Sequence, residues 1–277
     1  MDLTGKTIFL TGATSGIGRE TALALAPSAG ELLLHGPEPE AAVNNLVNEV
    51  QLRLRPGGRV VYLQADYGRL EDVVRLAEQV RLQTQELHVL INNAAIPGAP
   101  DRAMSSDGNE LTFQVNYLAP VALTALLREH LQTEAGGRIV NISSATHLSA
   151  TLHWDDLDLA VGYAPTTAYA QSKLALVTYT CWLAAQLPAP DIEAVSMHPG
   201  VISTGLLHAM FSIGGEPARL AAHRIVAVAS RTADNGSYYD EARQAAPNPI
   251  ALDIEAQNRL HELTALRLNG LVKAIDT

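Results

Sequence analysis

Cysteine is nearly missing from this chain of 277 residues, in which Cys181 is the single one. One thiol can form neither an intramolecular disulfide nor a cysteine-based metal cluster, and this scarcity predicts a reducing compartment such as the cytoplasm. The nine histidines include no HExxH motif and no closely spaced ligand set. We therefore expect no metal site.

Long apolar runs and basic residues are also scarce. No stretch of about twenty apolar residues could cross a bilayer, and the amino terminus lacks the apolar core of a signal peptide. The 19 Lys and Arg residues stand against 29 Asp and Glu, which gives a formal net charge of −10. This excess of acid disfavours binding to phosphate backbones and anionic lipid. The sequence predicts a soluble, cytoplasmic protein with no nucleic-acid or membrane partner.

Apolar residues, in contrast, make up 47 % of the chain, which is enough for a large core. Short apolar runs alternate with longer helix-like stretches, as in a parallel sheet covered by helices on both faces. The predicted strands are 7–10, 31–35, 60–63, 89–91, 138–142, 194–197 and 237–239, and the predicted helices are 18–26, 38–53, 70–84, 108–133, 166–186 and 254–268. Connections of helix length leave no room for hairpins, and no break divides the chain. We expect one α/β domain over residues 1–277.

Two segments, 147–165 and 205–219, show no clear periodicity, and both follow the end of a predicted strand. Ligands of open α/β sheets bind at the carboxyl ends of the strands. We predict that these two segments are the substrate loops, and that a helical extension follows at the C-terminus.

A glycine-rich turn, Thr11-Gly12-Ala13-Thr14-Ser15-Gly16-Ile17-Gly18, joins the first predicted strand to a helix. Its three glycines permit a tight turn and close approach to a pyrophosphate, and a helix N-terminus offers free N–H groups. The turn indicates dinucleotide binding. The alternative is a packing turn without a ligand, because glycines alone are a weak signal.

Tyr169 and Lys173 are four residues apart on a predicted helix, which places them close enough to interact. A free phenol titrates at about 10, and a neighbouring ammonium would lower the pKa of Tyr169 toward neutrality. Ser143 and Ser144 end the fifth predicted strand, at the sheet edge where the glycine turn emerges, so a serine hydroxyl can face a bound cofactor. The alternative for the Tyr-x-x-x-Lys pair is an ordinary solvated helix.

These motifs resemble the short-chain dehydrogenase/reductase family. The glycine turn matches that family's TGxxxGIG loop, and Asp66, after the third strand, resembles its adenine-contacting aspartate. Asn92-Asn93-Ala94-Ala95 is similar to the family's NNAG turn, with alanine in the last place. Residues 199–204 are similar to its PG loop. The resemblance covers nearly the whole chain. It implies a Rossmann fold, a doubly wound parallel sheet of about seven strands in the order 3-2-1-4-5-6-7. It also implies an NAD(P) site formed by Gly12, Thr14, Ser15, Gly16, Ile17, Gly18, His35, Asp66, Tyr67, Asn93, Ala94, Ala95, Tyr169, Lys173, Pro199, Gly200, Val201, Ile202 and Thr204.

The resemblance further implies four catalytic residues. Tyr169 would give or take the proton of the substrate oxygen, and Ser144 would orient that oxygen. Lys173 would bind the nicotinamide ribose and lower the pKa of Tyr169. Asn116 would bend the long helix and hold a water molecule in a proton relay.

A narrower resemblance is to the retinol-dehydrogenase and WW-domain-oxidoreductase branch of this family. It is carried by the 25-residue separation of Ser144 and Tyr169, the Ala-Tyr-x-Gln-Ser-Lys-Leu-Ala run, the His198-Pro199-Gly200 turn and Pro247-Asn248-Pro249. The chain lacks the membrane anchor and WW modules of that branch, and its many alanines and arginines are typical of a GC-rich genome, so we expect a soluble bacterial relative. Helices 108–133 and 166–186 commonly pair between subunits in the family, which implies a homo-dimer or homo-tetramer.

The cofactor phosphate stays open. NADP users of the branch carry arginine at the position of Pro37 and NAD users carry aspartate near Gly36; this chain has neither, while Glu38 would repel a 2′-phosphate. We predict an NAD(P)-dependent oxidoreductase that reduces a ketone or aldehyde of a mainly apolar small molecule, or runs the reverse oxidation. The alternatives are a non-redox cyclase or isomerase that uses the same site, and a cofactor-binding regulatory protein.

Overall fold

Within the described residues, one sheet of eight strands forms the centre of the protein. The computed structural model describes residues 1–134, 136–187 and 191–268, so the last part of the predicted domain, 269–277, lies outside the described residues. The strands are β1 (Thr7–Leu10), β2 (Glu31–Gly36), β3 (Arg59–Gln64), β4 (Val89–Asn92), β5 (Gly137–Ile142), β6 (Ile192–His198), β7 (Tyr238–Asp240) and β8 (Arg243–Ala245). Their order is β3-β2-β1-β4-β5-β6-β7-β8, with β1 to β7 parallel. The predicted order of the first seven strands is confirmed.

The eighth strand departs from the prediction, because β7 and β8 form an antiparallel hairpin. Each of the two strands has only three residues, and Arg243 and Gln244 are exposed. Glu241 lies between the strands with a φ of 57°, a left-handed conformation that lets the chain reverse tightly. A short polar edge strand has no apolar alternation for sequence reasoning to detect.

Helices cover both faces of the sheet. They are α1 (Gly16–Leu25), α2 (Glu40–Arg53), α3 (Leu70–Gln83), α4 (Leu111–Phe113), α5 (Ala119–Leu131), α6 (Pro165–Gln186), α7 (Gly205–Met210), α8 (Ala218–Ala229), α9 (Pro249–Leu252) and α10 (Ile254–Arg267). Alternating side chains of β1 enter two apolar cores: Phe9 packs in the core with residues of α3, α5 and α6, whereas Ile8 and Leu10 pack in the core with residues of α1, α2 and α8. All residues of β1, β4 and β5 are buried, as central parallel strands require.

The helix predicted over 108–133 is interrupted. It begins at α4, where the carboxylate of Glu110 accepts hydrogen bonds from the backbone N–H groups of Thr112 and Phe113 at 3.0 and 2.7 Å. A π-helical turn, Gln114–Leu118, then joins α4 to α5. Such turns widen a helix locally and expose backbone groups at functional sites.

The two predicted substrate loops behave differently. Segment 205–219 contains the short helix α7 and leads into α8, which the sequence analysis did not identify. Segment 147–165 is fastened to α10 instead: Arg259 donates to Asp155 at 3.1 Å and its guanidinium lies 4.9 Å from the ring centroid of Trp154, while Arg267 donates to Asp158 at 2.9 Å.

Helix α6 is buried along most of its length, and α10 packs against it. The ring of Trp182 stacks on that of His261 with centroids 3.8 Å apart. The hydroxyl groups of Tyr117 and Thr264 are hydrogen-bonded at 2.7 Å, which ties α10 to the π turn as well. Of the helices in the described ranges, none has the length and apolarity needed to cross a membrane.

Candidate active site

A pocket of about 680 Å³ opens at the carboxyl ends of the central strands. Every residue that the sequence predicted to bind NAD(P) lines this pocket, and so does Ser144. Asn116 does not. The structure therefore brings together residues that lie up to 192 positions apart in the chain, from Gly12 to Thr204.

The glycine turn is shaped for a ligand that approaches the backbone. Gly12 has a φ of 65°, and a Cβ atom there would lie 2.6 Å from Cα of Ala94. A Cβ on Gly18 would lie 1.8 Å from the carbonyl oxygen of Gly12. Ser15 precedes α1 in an extended conformation without a side-chain cap, so the first N–H groups of the helix are left for an anion. This cradle fits the pyrophosphate of a dinucleotide.

The turn after β4 fixes this cradle in place. Asn93 donates through its side-chain amide to the carbonyl oxygens of Thr11 and Gly12 at 2.9 and 3.0 Å. The hydroxyl of Thr11 accepts from the backbone N–H groups of Asn93 and Ala94, both at 3.0 Å. The glycine turn and the Asn-Asn-Ala-Ala turn are thus one hydrogen-bonded unit.

His35 is a buried, neutral component of the pocket. Its Nε2 lies 3.1 Å from the carbonyl oxygen of Ala65, its Nδ1 accepts from the N–H of Gly12 at 3.4 Å, and its ring stacks on Tyr67 with centroids 4.5 Å apart. Burial lowers the pKa of His35 to about 4. The histidine therefore joins strand ends together and supplies no positive charge at neutral pH.

Asn116 lies in the π turn, and its amide is occupied by protein partners. Its Oδ1 accepts from the N–H of Ile96 at 2.8 Å, and its Nδ2 donates to the carbonyl of Ile96 at 3.0 Å and to Oγ of Ser172 at 3.1 Å. The side chain is fully buried. Asn116 thus joins the pocket-lining segment at Ile96 to α6, beside the helical turn that carries Tyr169.

Tyr169 and Lys173 lie one turn apart on α6, buried at the pocket. Nζ of Lys173 donates to the carbonyl of Ile142 at 2.9 Å and lies 5.6 Å from the centroid of the Tyr169 ring. Ser143 donates to the carbonyl of Lys173 at 3.1 Å, which fixes the end of β5 against α6. Ser144 follows directly in an extended conformation, half-buried, at the pocket.

The pKa of Tyr169 differs from the prediction. Burial raises it to about 12, against the smaller opposing effect of a hydrogen bond with the Ser144 side chain. Burial also lowers the pKa of Lys173 to about 7. The expected lowering of the Tyr169 pKa by the ammonium is therefore wrong, because burial has the larger effect. Desolvation outweighs the charge of a lysine that is itself easily deprotonated.

The PG loop and α7 close the other side of the pocket. Gly200 has a φ of 106°, and a Cβ there would lie 2.5 Å from Nη1 of Arg224. That guanidinium donates to the carbonyl of Pro199 at 3.1 Å and to Glu216 at 2.5 Å. Thr204 caps α7 by accepting from the N–H of Leu207 at 3.3 Å.

The wall that follows Thr204 is apolar: Leu206, Leu207, Met210, Phe211 and Ile213 line the pocket. No residue of segment 147–165 does. The predicted role of 205–219 as a wall of the site agrees with this geometry. Segment 147–165 is held by its contacts with α10, and its role as a substrate loop stays a prediction.

Sequence reasoning missed several lining residues, among them Ile96, Val115, Thr146 and His198. It also missed a clamp behind Ser144. Nδ2 of Asn248 lies 2.9 to 3.2 Å from the carbonyl oxygens of His147, Leu148 and Ala150 and so holds the 3₁₀ turn that follows the serine. The Pro-Asn-Pro sequence indicates a turn but not its partner.

In the ranges that the structure describes, no group of three or more His, Cys, Asp or Glu side chains could hold a metal ion.

Comparison with known proteins agrees with the geometry. The short chain dehydrogenase family model matches residues 6–212. The chain is 34 % identical over 292 residues to Retinol dehydrogenase 13 of Mus musculus, covering 98 % of this chain and 85 % of that relative. A crystal structure of an uncharacterized Mycobacterium Paratuberculosis protein has a TM-score of 0.81 at 26 % identity, over 97 % of this chain and 95 % of the other.

The fold also matches that of a Burkholderia cenocepacia J2315 short chain dehydrogenase solved with NADP, with a TM-score of 0.69 and 24 % identity over 87 % of this chain and 97 % of the other. The family match spans most of the chain, including the glycine turn, the end of β5, α6 and the PG loop. The chain therefore belongs to the short-chain dehydrogenase/reductase family, is similar to its retinol-dehydrogenase-like branch, and is an NAD(P)-dependent oxidoreductase.

Proposed function

We propose that this protein reduces the carbonyl group of a mainly apolar ketone or aldehyde, or catalyses the reverse oxidation. The observation that carries the proposal is that the buried side chains of Tyr169 and Lys173, together with Ser144, line the same pocket as the apolar side chains of α7. Tyr169 is protonated at neutral pH, so it is poised as an acid.

The proposed mechanism uses few groups. When bound, NAD(P)H supplies the hydride that adds to the carbonyl carbon. Ser144 donates its hydroxyl hydrogen bond to the carbonyl oxygen and holds it toward Tyr169. Tyr169 gives its proton to the same oxygen as negative charge develops there.

Lys173 and Asn116 support this acid in the proposal. The ammonium of Lys173 stabilises the phenolate left after proton transfer and binds the nicotinamide ribose hydroxyls. Asn116 holds the segment at Ile96 against α6 through both sides of its amide.

The substrate class rests on the wall made by α7 and the following residues. Leu206, Leu207, Met210 and Phe211 are half-buried without substrate, so an apolar ligand would remove further apolar surface from water. The related Retinol dehydrogenase 13 is named for an alcohol that is largely hydrocarbon. This supports a lipophilic alcohol or aldehyde for the present chain.

The test is oxidation of NADH and NADPH, followed by fluorescence, with a panel of aldehydes and ketones of increasing apolar size. Tyr169→Phe should lose at least about a hundredfold in kcat, because the substitution removes the phenol hydroxyl that gives the proton. Tyr163→Phe, whose phenol donates to the carbonyl of Ala99, is the matched control.

Two outcomes would count against the proposal. Substantial turnover by Tyr169→Phe would remove the assigned acid. Tight cofactor binding without oxidation across the panel would favour a non-redox cyclase or isomerase, or a cofactor-binding regulator, on the same site.

A cytoplasmic location and a homo-dimer or homo-tetramer are part of the same proposal. The single cysteine supports the first. Helix α10 packs against α6, so an interface between subunits that lies near α6 would have to include α10 as well. Sedimentation equilibrium over a range of protein concentrations measures the oligomeric state.

A further inference from the structure

The side-chain amide of Gln114 is fully hydrogen-bonded at the start of the π turn. Gln114 is buried, and its Oε1 accepts from Oγ of Ser105 at 2.6 Å and from Nδ2 of Asn109 at 2.9 Å. Its Nε2 donates to the backbone carbonyl of Tyr67 at 3.2 Å and to the carboxylate of Asp107 at 2.8 Å. A side-chain amide has two donor hydrogens and two acceptor lone pairs, so all four positions are used. Gln114 is therefore fixed in one orientation.

The hydrogen bond from Gln114 to Tyr67 reaches the pocket. Tyr67 lines the pocket, and its ring stacks on that of His35 with centroids 4.5 Å apart. Nδ1 of His35 accepts from the backbone N–H of Gly12, in the glycine turn, at 3.4 Å. A displacement of the Tyr67 backbone would therefore disturb the pocket wall next to the glycine turn.

The other side of the Gln114 amide leads to the C-terminal helix. Oδ1 of Asn109 accepts from Nη1 of Arg267, on α10, at 2.9 Å. The same nitrogen lies 3.0 and 2.9 Å from the two carboxylate oxygens of Asp158. Oδ1 of Asp158 also accepts from the backbone N–H of Glu110 at 2.8 Å. Arg267 therefore holds the two residues that lead into α4 and the π turn.

The hydrogen bonds between Arg267 and the pocket are largely shielded from water. Asn109 and Gln114 are buried, and the side chains of Arg267 and Asp158 are each 23 % exposed. A buried polar group that loses its partner is costly, so without the guanidinium the Asn109 amide would turn toward another donor and release Gln114. Such a network is rigid only while each member keeps its partners.

We propose that Arg267 is a positioning residue, which holds the pocket wall at Tyr67 through the buried amide of Gln114. Arg267 does not line the pocket, so it acts on a bound dinucleotide only through this chain of hydrogen bonds. The inference rests on the proposed site, because the dinucleotide must lie against Tyr67. Removing the guanidinium and removing the Gln114 amide break the same path, so the two losses of affinity should not add.

The experiment measures dinucleotide binding, which needs no substrate. NADH and NADPH are titrated by fluorescence into the whole protein. The one that binds more tightly is used for every variant, under conditions in which circular dichroism shows each variant to be folded. Arg267→Met should weaken its binding at least about fivefold. Gln114→Met should do the same, and the double variant should lose no more than about twofold beyond the weaker single variant.

Arg259→Met is the matched control, because Arg259 lies on the same helix and donates to the same segment. The side chains of Arg259 and Asp155 are 51 and 99 % exposed, so losing this pair should leave the affinity within about twofold. Asp158→Asn is a second test, which keeps the shape of the side chain and removes the charge that holds Arg267. It should weaken binding at least about twofold, whereas Asp155→Asn should not change it.

A lower urea midpoint for Arg267→Met with unchanged affinity would make Arg267 a structural residue only and would overturn the inference. Losses that simply add in the double variant would overturn it as well. If either methionine variant does not fold, Asp158→Asn decides, and unchanged binding by it would overturn the inference. An unaltered protein that binds neither dinucleotide would contradict the proposed site together with this inference. The expected pattern of affinities in a protein without turnover would support the inference and contradict the proposed reaction.

Discussion

Replacing Lys173 with methionine should stabilise the ligand-free protein at neutral pH. Lys173 is 2 % exposed, and its ammonium donates a hydrogen bond to the carbonyl of Ile142 at 2.9 Å. Burial lowers the pKa of Lys173 from the ordinary 10.5 to about 7. Methionine is nearly isosteric and apolar, so it removes the cost of burying a charge and loses one hydrogen bond.

The magnitude follows from proton linkage. A pKa lowered from 10.5 to about 7 corresponds to roughly 5 kcal/mol of free energy of unfolding, at about 1.4 kcal/mol per pH unit. Below pH 7 Lys173 is protonated in both the folded and the unfolded protein, so the folded protein bears the full free-energy cost of burying the ammonium. Between pH 7 and 10.5 only the unfolded state binds it, so the stability of the unaltered protein rises with pH.

At pH 7 the lost hydrogen bond offsets about 1 kcal/mol, so Lys173→Met should be more stable by a few kcal/mol. From pH 7 to pH 9 this advantage should shrink by roughly 2 kcal/mol, because the folded-state lysine is already half deprotonated at pH 7. Urea unfolding of both proteins at pH 7, 8 and 9 measures the difference in free energy, and titrations shared by the two proteins cancel. Lys6→Met, a half-exposed site, controls for the loss of one lysine. A stability difference that stays constant across this pH range would refute the reasoning.

Two further substitutions probe the framework of the site. Arg138 is fully buried and donates to Asp234 at 2.5 Å. Arg138→Met should therefore lower the free energy of unfolding, measured with urea, by about 3–5 kcal/mol. Arg53→Met, on the surface, is the control and should lower it by less than about 1 kcal/mol. Gly18→Ala places a methyl 1.8 Å from a carbonyl oxygen of the glycine turn and should weaken NADH binding at least about tenfold in a fluorescence titration. Gly214→Ala, with open space around the new methyl, should not change it, and unchanged binding by Gly18→Ala would show that the turn does not hold the cofactor.

The strand order and the cofactor edge could be predicted because they depend on local patterns. Buried parallel strands are continuous apolar runs, and a glycine turn between a strand and a helix specifies its own backbone conformation. The family match from residue 6 to 212 confirms the interpretation of these motifs. The roles of the individual site residues, and a bacterial origin, stay predictions.

What the sequence could not predict depends on contacts between distant elements. Segment 147–165 has no periodicity, but the side chains that decide its position, Arg259 and Arg267, lie about a hundred residues later on α10. The neutral state of His35 follows from its complete burial between β1 and the turn after β3. The spacing of Tyr169 and Lys173 predicts that they interact but does not show how deeply they are buried. The direction of the shift in the Tyr169 pKa therefore cannot be predicted from the sequence.

Burial of Tyr169 and Lys173 together has a chemical consequence for the proposed reaction. At neutral pH the phenol holds its proton and the amine is near the midpoint of its titration, so the pair carries a partial positive charge. Once Tyr169 has given up its proton, a phenolate remains in a site of low polarity, with Nζ of Lys173 5.6 Å from the ring centroid. An anion so close favours the protonated amine. The protonated form of Lys173 therefore opposes the desolvation that otherwise makes the Tyr169 phenolate too costly to form.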